Sequence, residues 1–162
     1  MTLRNAIDRI VRWLLVIFMS AIVIDVTIQV VSRYLFQSPF SFTDELAGFL
    51  LIWVGLLGSA YATGEKQHLA IDLISGGMSP QRKRQLDILI NIIVVLFALG
   101  VLGIGGFWLV YTSFLFGQIS AALELPLGYV YLVVPVSGLL IAYYAIDNTF
   151  NEPSTDPDLV GE

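Results

Sequence analysis

Polar and apolar positions along this chain do not alternate; they separate into long blocks. Continuous apolar runs cover about 13–35, 46–62, 88–110 and 128–146. A helix needs about 20 such residues, at 1.5 Å each, to cross roughly 30 Å of hydrocarbon. Phe40, Phe42 and Tyr61 extend the shortest run into its interfaces. The absence of a two-residue alternation argues against a membrane barrel. The pattern therefore predicts an all-α membrane protein with four transmembrane helices, at about 13–35, 42–63, 86–112 and 128–147. Together these make one membrane domain over residues 1–150.

The intervening segments carry the direction. Arg4, Arg9 and Arg12 precede the first run, and Lys66, Arg82, Lys83 and Arg84 lie between the second and third. Segments 36–43 and 114–127 contain no Lys or Arg. With seven of the eight basic residues on one side of a four-helix path, that side is expected to be cytoplasmic, with both termini inside. Arg33 is the exception, at the outer end of helix one. The first run is too long for a signal-peptide core, and no small-residue cleavage site follows it before Arg33, so it reads as a retained helix. Residues 64–77 read as a short amphipathic helix in the interface, with His68 and Asp72 on its polar side and Leu69, Leu73 and Ile74 opposite. Ser79 and Pro80 then supply a cap and first-turn proline for helix three. The tail 151–162 is polar and acidic and is expected to be a disordered cytoplasmic extension.

Composition sharpens this picture by exclusion. Charged residues make up 13% of the 162, about half the usual share for a soluble domain, and the mean hydropathy is +0.82. There is no cysteine and a single histidine, so disulfides, thiolate clusters and bis-histidine haem are outside its repertoire. No cofactor or metal is expected: His68 and Asp72 give two ligand types without a third. The net charge of −5 and the lack of a basic aromatic stripe point away from nucleic acid.

Candidate chemistry is sparse. Asp25, Gln29 and Arg33 recur every four residues and are expected to share a face of helix one. Asp25 lies near mid-membrane, where an unpaired carboxylate costs about 2.5–3.5 kcal/mol, so this face must turn toward protein. It reads either as a relay or as a polar seam against a neighbouring helix or subunit. The seam is favoured, because a relay needs further polar groups at the same depth. At the start of helix two, Asp44 complements the helix dipole, while Glu45 adjoins apolar residues and is within sequence reach of an ion pair with Arg33. Gly48, Gly55, Gly58 and Ser59, and Gly100, Gly103, Gly105 and Gly106, read as close helix–helix contacts. Pro135 is expected to kink helix four. Arg82, Lys83 and Arg84 read as anchors to anionic lipid headgroups.

Taken in order, Val31-Ser32-Arg33-Tyr34-Leu35-Phe36, Asp44-Glu45-Leu46, Trp53-Val54-Gly55-Leu56-Leu57-Gly58-Ser59-Ala60, Gly64 and His68-Leu69-Ala70-Ile71-Asp72 resemble the small membrane subunit of tripartite ATP-independent periplasmic (TRAP) transporters, the DctQ type. One departure is Phe42, where the family usually has tryptophan. The resemblance implies a non-catalytic bacterial inner-membrane subunit of a sodium-coupled symporter for carboxylates. Its implied partners are a large membrane subunit, whose static scaffold it enlarges, and a transiently docked periplasmic substrate-binding protein. Arg33 and Glu45 would then lie near the periplasmic face, and His68 and Asp72 on a cytoplasmic brace. The residues themselves agree on one point. Complete carriers usually show repeats and paired broken helices around a midplane site, whereas this chain shows no repeat and one mid-membrane charge. Two alternatives stand beside it: a self-sufficient four-helix carrier working as a homodimer around Asp25, and the small subunit of a tripartite tricarboxylate transporter. An intramembrane enzyme using Glu45, His68 and Asp72 is disfavoured, since the topology places them on opposite sides.

Overall fold

The computed structural model describes residues 3–35, 41–65 and 80–150; the expected interfacial helix with His68 and Asp72, and the acidic tail, lie outside these residues. The described residues are almost entirely helical. Helix α1 is Leu3–Leu35, α2 is Ser41–Gly64 and α3 is Pro80–Phe97. A π-helical stretch, Ala98–Gly105, joins α3 to α4, Gly106–Leu115. After a compact loop come α5, Leu127–Tyr131, and α6, Val133–Phe150. Four spans long and apolar enough to cross a membrane result: Arg4–Leu35, Ser41–Gly64, Arg84–Leu115 and Leu127–Thr149. The first helix starts ten residues before its apolar run; at 33 residues it is about 50 Å long, so it overreaches the hydrocarbon by about 20 Å.

These spans do not close into a four-cornered bundle. The main contacts run in a row: α1 against α2, α2 against α6, and α6 against α3 and the π-helical stretch. The fourth span is thus the axis, with 39% of its central window buried against 6%, 11% and 6% for the first three. Ala60 of α2, Ala98 of the π-helical stretch, and Ile141 and Ala142 of α6 form the apolar centre. Small side chains are what allow three backbones to approach so closely where water exclusion supplies no drive.

Gly138 marks the close approach of α6 to the π-helical stretch. A β-carbon there would stand 2.8 Å from the Ala98 carbonyl oxygen, 2.8 Å from Leu102 Cβ and 3.0 Å from Gly103 N. The wide π turn wraps this point, and widened turns of this kind belong to sites of local constraint rather than to free helix. Of the glycines singled out from sequence, Gly106 is also in tight contact, against Val134 and Pro135. Gly48, Gly55 and Gly100 instead face open space, so they make no close contact among the described residues. The expected interruption in the last helix is present, at Leu132 between α5 and α6. Pro135 has no N–H to give the carbonyl of Tyr131, one turn earlier, which frees the chain to bend there.

Candidate functional site

The polar residues gather into three places along the row: a clasp at the end bearing the 116–126 loop, a clamp at the end bearing both chain termini, and a seam between α1 and α2. The clasp is built by Glu45. Its Oε1 accepts the N–H of Ala121 at 2.8 Å, and its Oε2 accepts those of Ala122 and Leu123 at 2.9 Å each. The loop is shaped to present these amides. Ser120 N–H meets the Leu125 carbonyl at 2.9 Å, Leu127 N–H meets the Gln118 carbonyl at 2.9 Å, and Gly117 (φ 58°) and Glu124 (φ 53°) take the left-handed conformation that turns the chain. Successive amides converging in this way form an anion cradle, and a carboxylate from α2 fills it. The Arg33–Glu45 ion pair that the sequence left sterically possible is therefore not formed. Both Glu45 oxygens are committed to backbone amides, and Arg33 is exposed, with no carboxylate paired to it among the described residues.

At the opposite end, Arg4 of α1 donates to the Asp147 carboxylate of α6 and, at 2.6 Å, to the carbonyl of Gly64 at the end of α2. Asp8 flanks Arg4 at 3.9 Å and accepts the Tyr144 hydroxyl at 2.6 Å. Asn148 Nδ2 donates to the Thr63 carbonyl at 2.8 Å, capping a second orphan carbonyl of the same helix end. Tyr144 is completely buried, and a β-carbon on Gly64 would press its ring at 2.9 Å. Arg12, Tyr61 and Glu65 continue the network on the outer surface, at 3.0 and 2.8 Å. This clamp joins three helices, and none of Arg4, Asp8, Tyr144 or Asn148 is among the candidates taken from the sequence. A signal was present: Arg4, Asp8, Val11, Leu15, Phe18, Ile22, Asp25, Gln29 and Ser32 follow the alternating four–three spacing of a helix seam.

That spacing also corrects the expected shared face. At 100° per residue, Ser32 returns to within 20° of Asp25 while Arg33 is turned 80° away. The seam accordingly runs from buried Asp25 through half-buried Gln29 to buried Ser32, and Arg33 points out of it. Gln29 donates to Asp44 of α2, and the Ser32 hydroxyl donates to the Gln29 carbonyl at 2.9 Å. Asp25 lies one turn beneath, about 6 Å below Gln29, and is 5% exposed. Arg82 and Arg84, expected as lipid anchors, are exposed on α3; Lys83's side chain lies outside the description.

Clasp, clamp and seam tie helices to one another. Over 143 residues the chain is 27% identical to a Haemophilus influenzae protein described as a TRAP transporter small permease protein, covering 87% of this chain and 86% of that one. It is 26% identical over 149 residues to the sialic acid TRAP transporter small permease protein SiaQ of Vibrio cholerae, covering 92% and 84%. A segment of 88 residues, 54% of this chain, is 28% identical to part of the sialic acid TRAP transporter permease protein SiaT of Haemophilus influenzae, of which it covers 14%. The profile of one family matches residues 22–153. The chain belongs to that family, the DctQ component of tripartite ATP-independent periplasmic transporters, and is a transmembrane small permease subunit.

Proposed function

We propose that this subunit is a fixed, non-catalytic wall in a sodium-coupled carboxylate transporter, packing on the static scaffold of a large permease subunit. The observation that carries the partnership is the match to SiaT, a permease in which a segment like this one occupies only 14% of a much longer polypeptide. A small unit joined covalently to a large one in a relative supports non-covalent pairing here. The open row of helices supports the same reading. Three of its four spans bury little of their own surface, and a larger membrane partner would cover part of what remains. A periplasmic binding protein would visit the loop end transiently, delivering a carboxylate substrate.

In the proposed orientation the chain lies in the bacterial inner membrane with both termini cytoplasmic. The basic residues support this, since Arg4, Arg9, Arg12, Arg82 and Arg84 all fall at the terminal end. Arg82, Lys83 and Arg84 would meet headgroups there, and His68 and Asp72 would sit on an interfacial brace. Because the native chain has no cysteine, single cysteines at Gln118 and Ser154 report the orientation directly. An impermeant maleimide applied to intact spheroplasts should label Gln118→Cys and spare Ser154→Cys; the reverse pattern overturns it. For the function itself, the chain is tagged and purified from its native membrane. Co-purification of a larger polytopic permease, and loss of substrate uptake on deleting the small subunit, are expected. Uptake by the isolated chain in liposomes would refute the proposal and favour a self-sufficient carrier.

A further inference from the structure

The clamp and the clasp satisfy the charges they bring together, but the seam between α1 and α2 does not. Asp25 is buried to 5% exposure, and its Oδ2 has neither solvent nor a hydrogen-bond partner among the described residues. One turn nearer the loop end, Gln29 contacts Asp44, whose side chain is exposed at the start of α2. Ser32 (1% exposed) and Thr43 (fully buried) lie at the same end of the pair of helices. From Asp25 toward the loop end the seam thus carries one amide, two hydroxyls and a second carboxylate, with Ser32 two turns along α1 from Asp25. The nearest basic residue in sequence, Arg33, faces outward. A carboxylate oxygen left bare in a helix seam loses its hydration without replacement, and this is among the costlier arrangements a protein can keep.

We propose that this seam is a binding site for a hard cation, with Asp25 as its floor and Asp44 as its mouth. The chemistry follows from the donors. Carboxylate, amide carbonyl and hydroxyl oxygens, without sulfur or imidazole, suit alkali and alkaline-earth cations rather than the softer transition metals. Asp44 stands exposed at the helix start, and Asp25 lies about one turn below the Gln29 that contacts it, so an ion reaching Asp25 from the loop end would pass polar groups of both helices. A bound cation would give Oδ2 its missing partner and offset two carboxylates that share one seam. It would also cross-link α1 to α2 at the end opposite the Arg4 clamp.

The test needs only the purified chain in lipid nanodiscs, so its outcome is independent of any partner subunit or transport reaction. Thermal unfolding is followed by tryptophan fluorescence while NaCl, KCl, CaCl2 or MgCl2 is raised at constant ionic strength with choline chloride. The expected result is a saturable rise in Tm with at least one of these cations. Asp25→Asn should abolish the rise, and Asp44→Asn should shift its midpoint at least tenfold to higher concentration. Asp8→Asn, in the remote clamp, should leave the midpoint unchanged. Should Asp25→Asn unfold, Asp25→Glu serves instead and should move the midpoint. A response reproduced by choline, no cation response, or the same response in the wild type and Asp25→Asn would each overturn the proposal.

Discussion

Gly138→Ala gives the sharpest test of how the row is held together. In a free helix this change is favourable by about 0.8–1 kcal/mol, because alanine loses less backbone entropy on folding. At Gly138 the added β-carbon would meet two backbone atoms and a β-carbon at 2.8–3.0 Å, and none of these belongs to the flexible end of a side chain. Relief requires α6 and the π-helical stretch to separate. Overpacking of that kind costs about 1–3 kcal/mol, so the clash outweighs the propensity gain and the net effect is a loss of up to about 2 kcal/mol. Gly100→Ala is the matched control, in the same π-helical stretch but with nothing within 4 Å of its β-carbon. It receives the favourable contribution alone. Thermal unfolding of both variants in nanodiscs should therefore rank Gly100→Ala at or above the wild type and Gly138→Ala several degrees below it. If Gly138→Ala proves as stable as Gly100→Ala, the fourth span is not gripped by the π turn, and the close-packed centre described above is wrong.

The polar ends are open to similar tests. Glu45→Gln should speed amide exchange at Ala121, Ala122 and Leu123 by at least tenfold, leaving α6 unchanged, since the amide oxygen accepts more weakly and its NH2 opposes the cradle. A double-mutant cycle of Arg4→Ala and Asp147→Ala, read by unfolding, should return a coupling of roughly 0.5–3 kcal/mol. A value near zero would mean that the pair does not join α1 to α6. Tyr144→Phe should cost about 1–3 kcal/mol by leaving Asp8 one donor short in a part-buried setting. The same substitution made together with Asp8→Ala should cost little further.

The candidate site was legible only in part, and the reason differs from residue to residue. Asp25 and Gln29 were readable because burial of a polar face follows from helical spacing within one element. Arg33 was misassigned for a local reason too: a repeat of four drifts 40° per step, whereas the four–three seam through Ser32 stays on the contact face. Glu45 was recognisable as uncomfortable beside apolar neighbours, but its partners lie 76 to 78 residues away in a loop of unremarkable composition. Backbone amides leave no trace in side-chain identity, so the sequence offered only a nearby arginine as a possible partner. Arg4 and Asp147 are separated by 143 positions, and Arg4 already had a sufficient local meaning as a topology charge.

The four spans, the helical class and the family were determined by the sequence alone. Hydropathy acts residue by residue, and a motif order such as Arg33, Asp44-Glu45 and Gly64 is itself a statement about sequence. The order of the spans in space was decided only by the tertiary structure. Nothing in four comparable apolar runs distinguishes the central one, because lipid and protein offer an apolar side chain nearly the same environment. What selects the fourth span as the axis is steric fit. Ala60, Ala98, Gly138 and Ala142 happen to be small where three backbones meet, and that coincidence exists only once the helices are side by side.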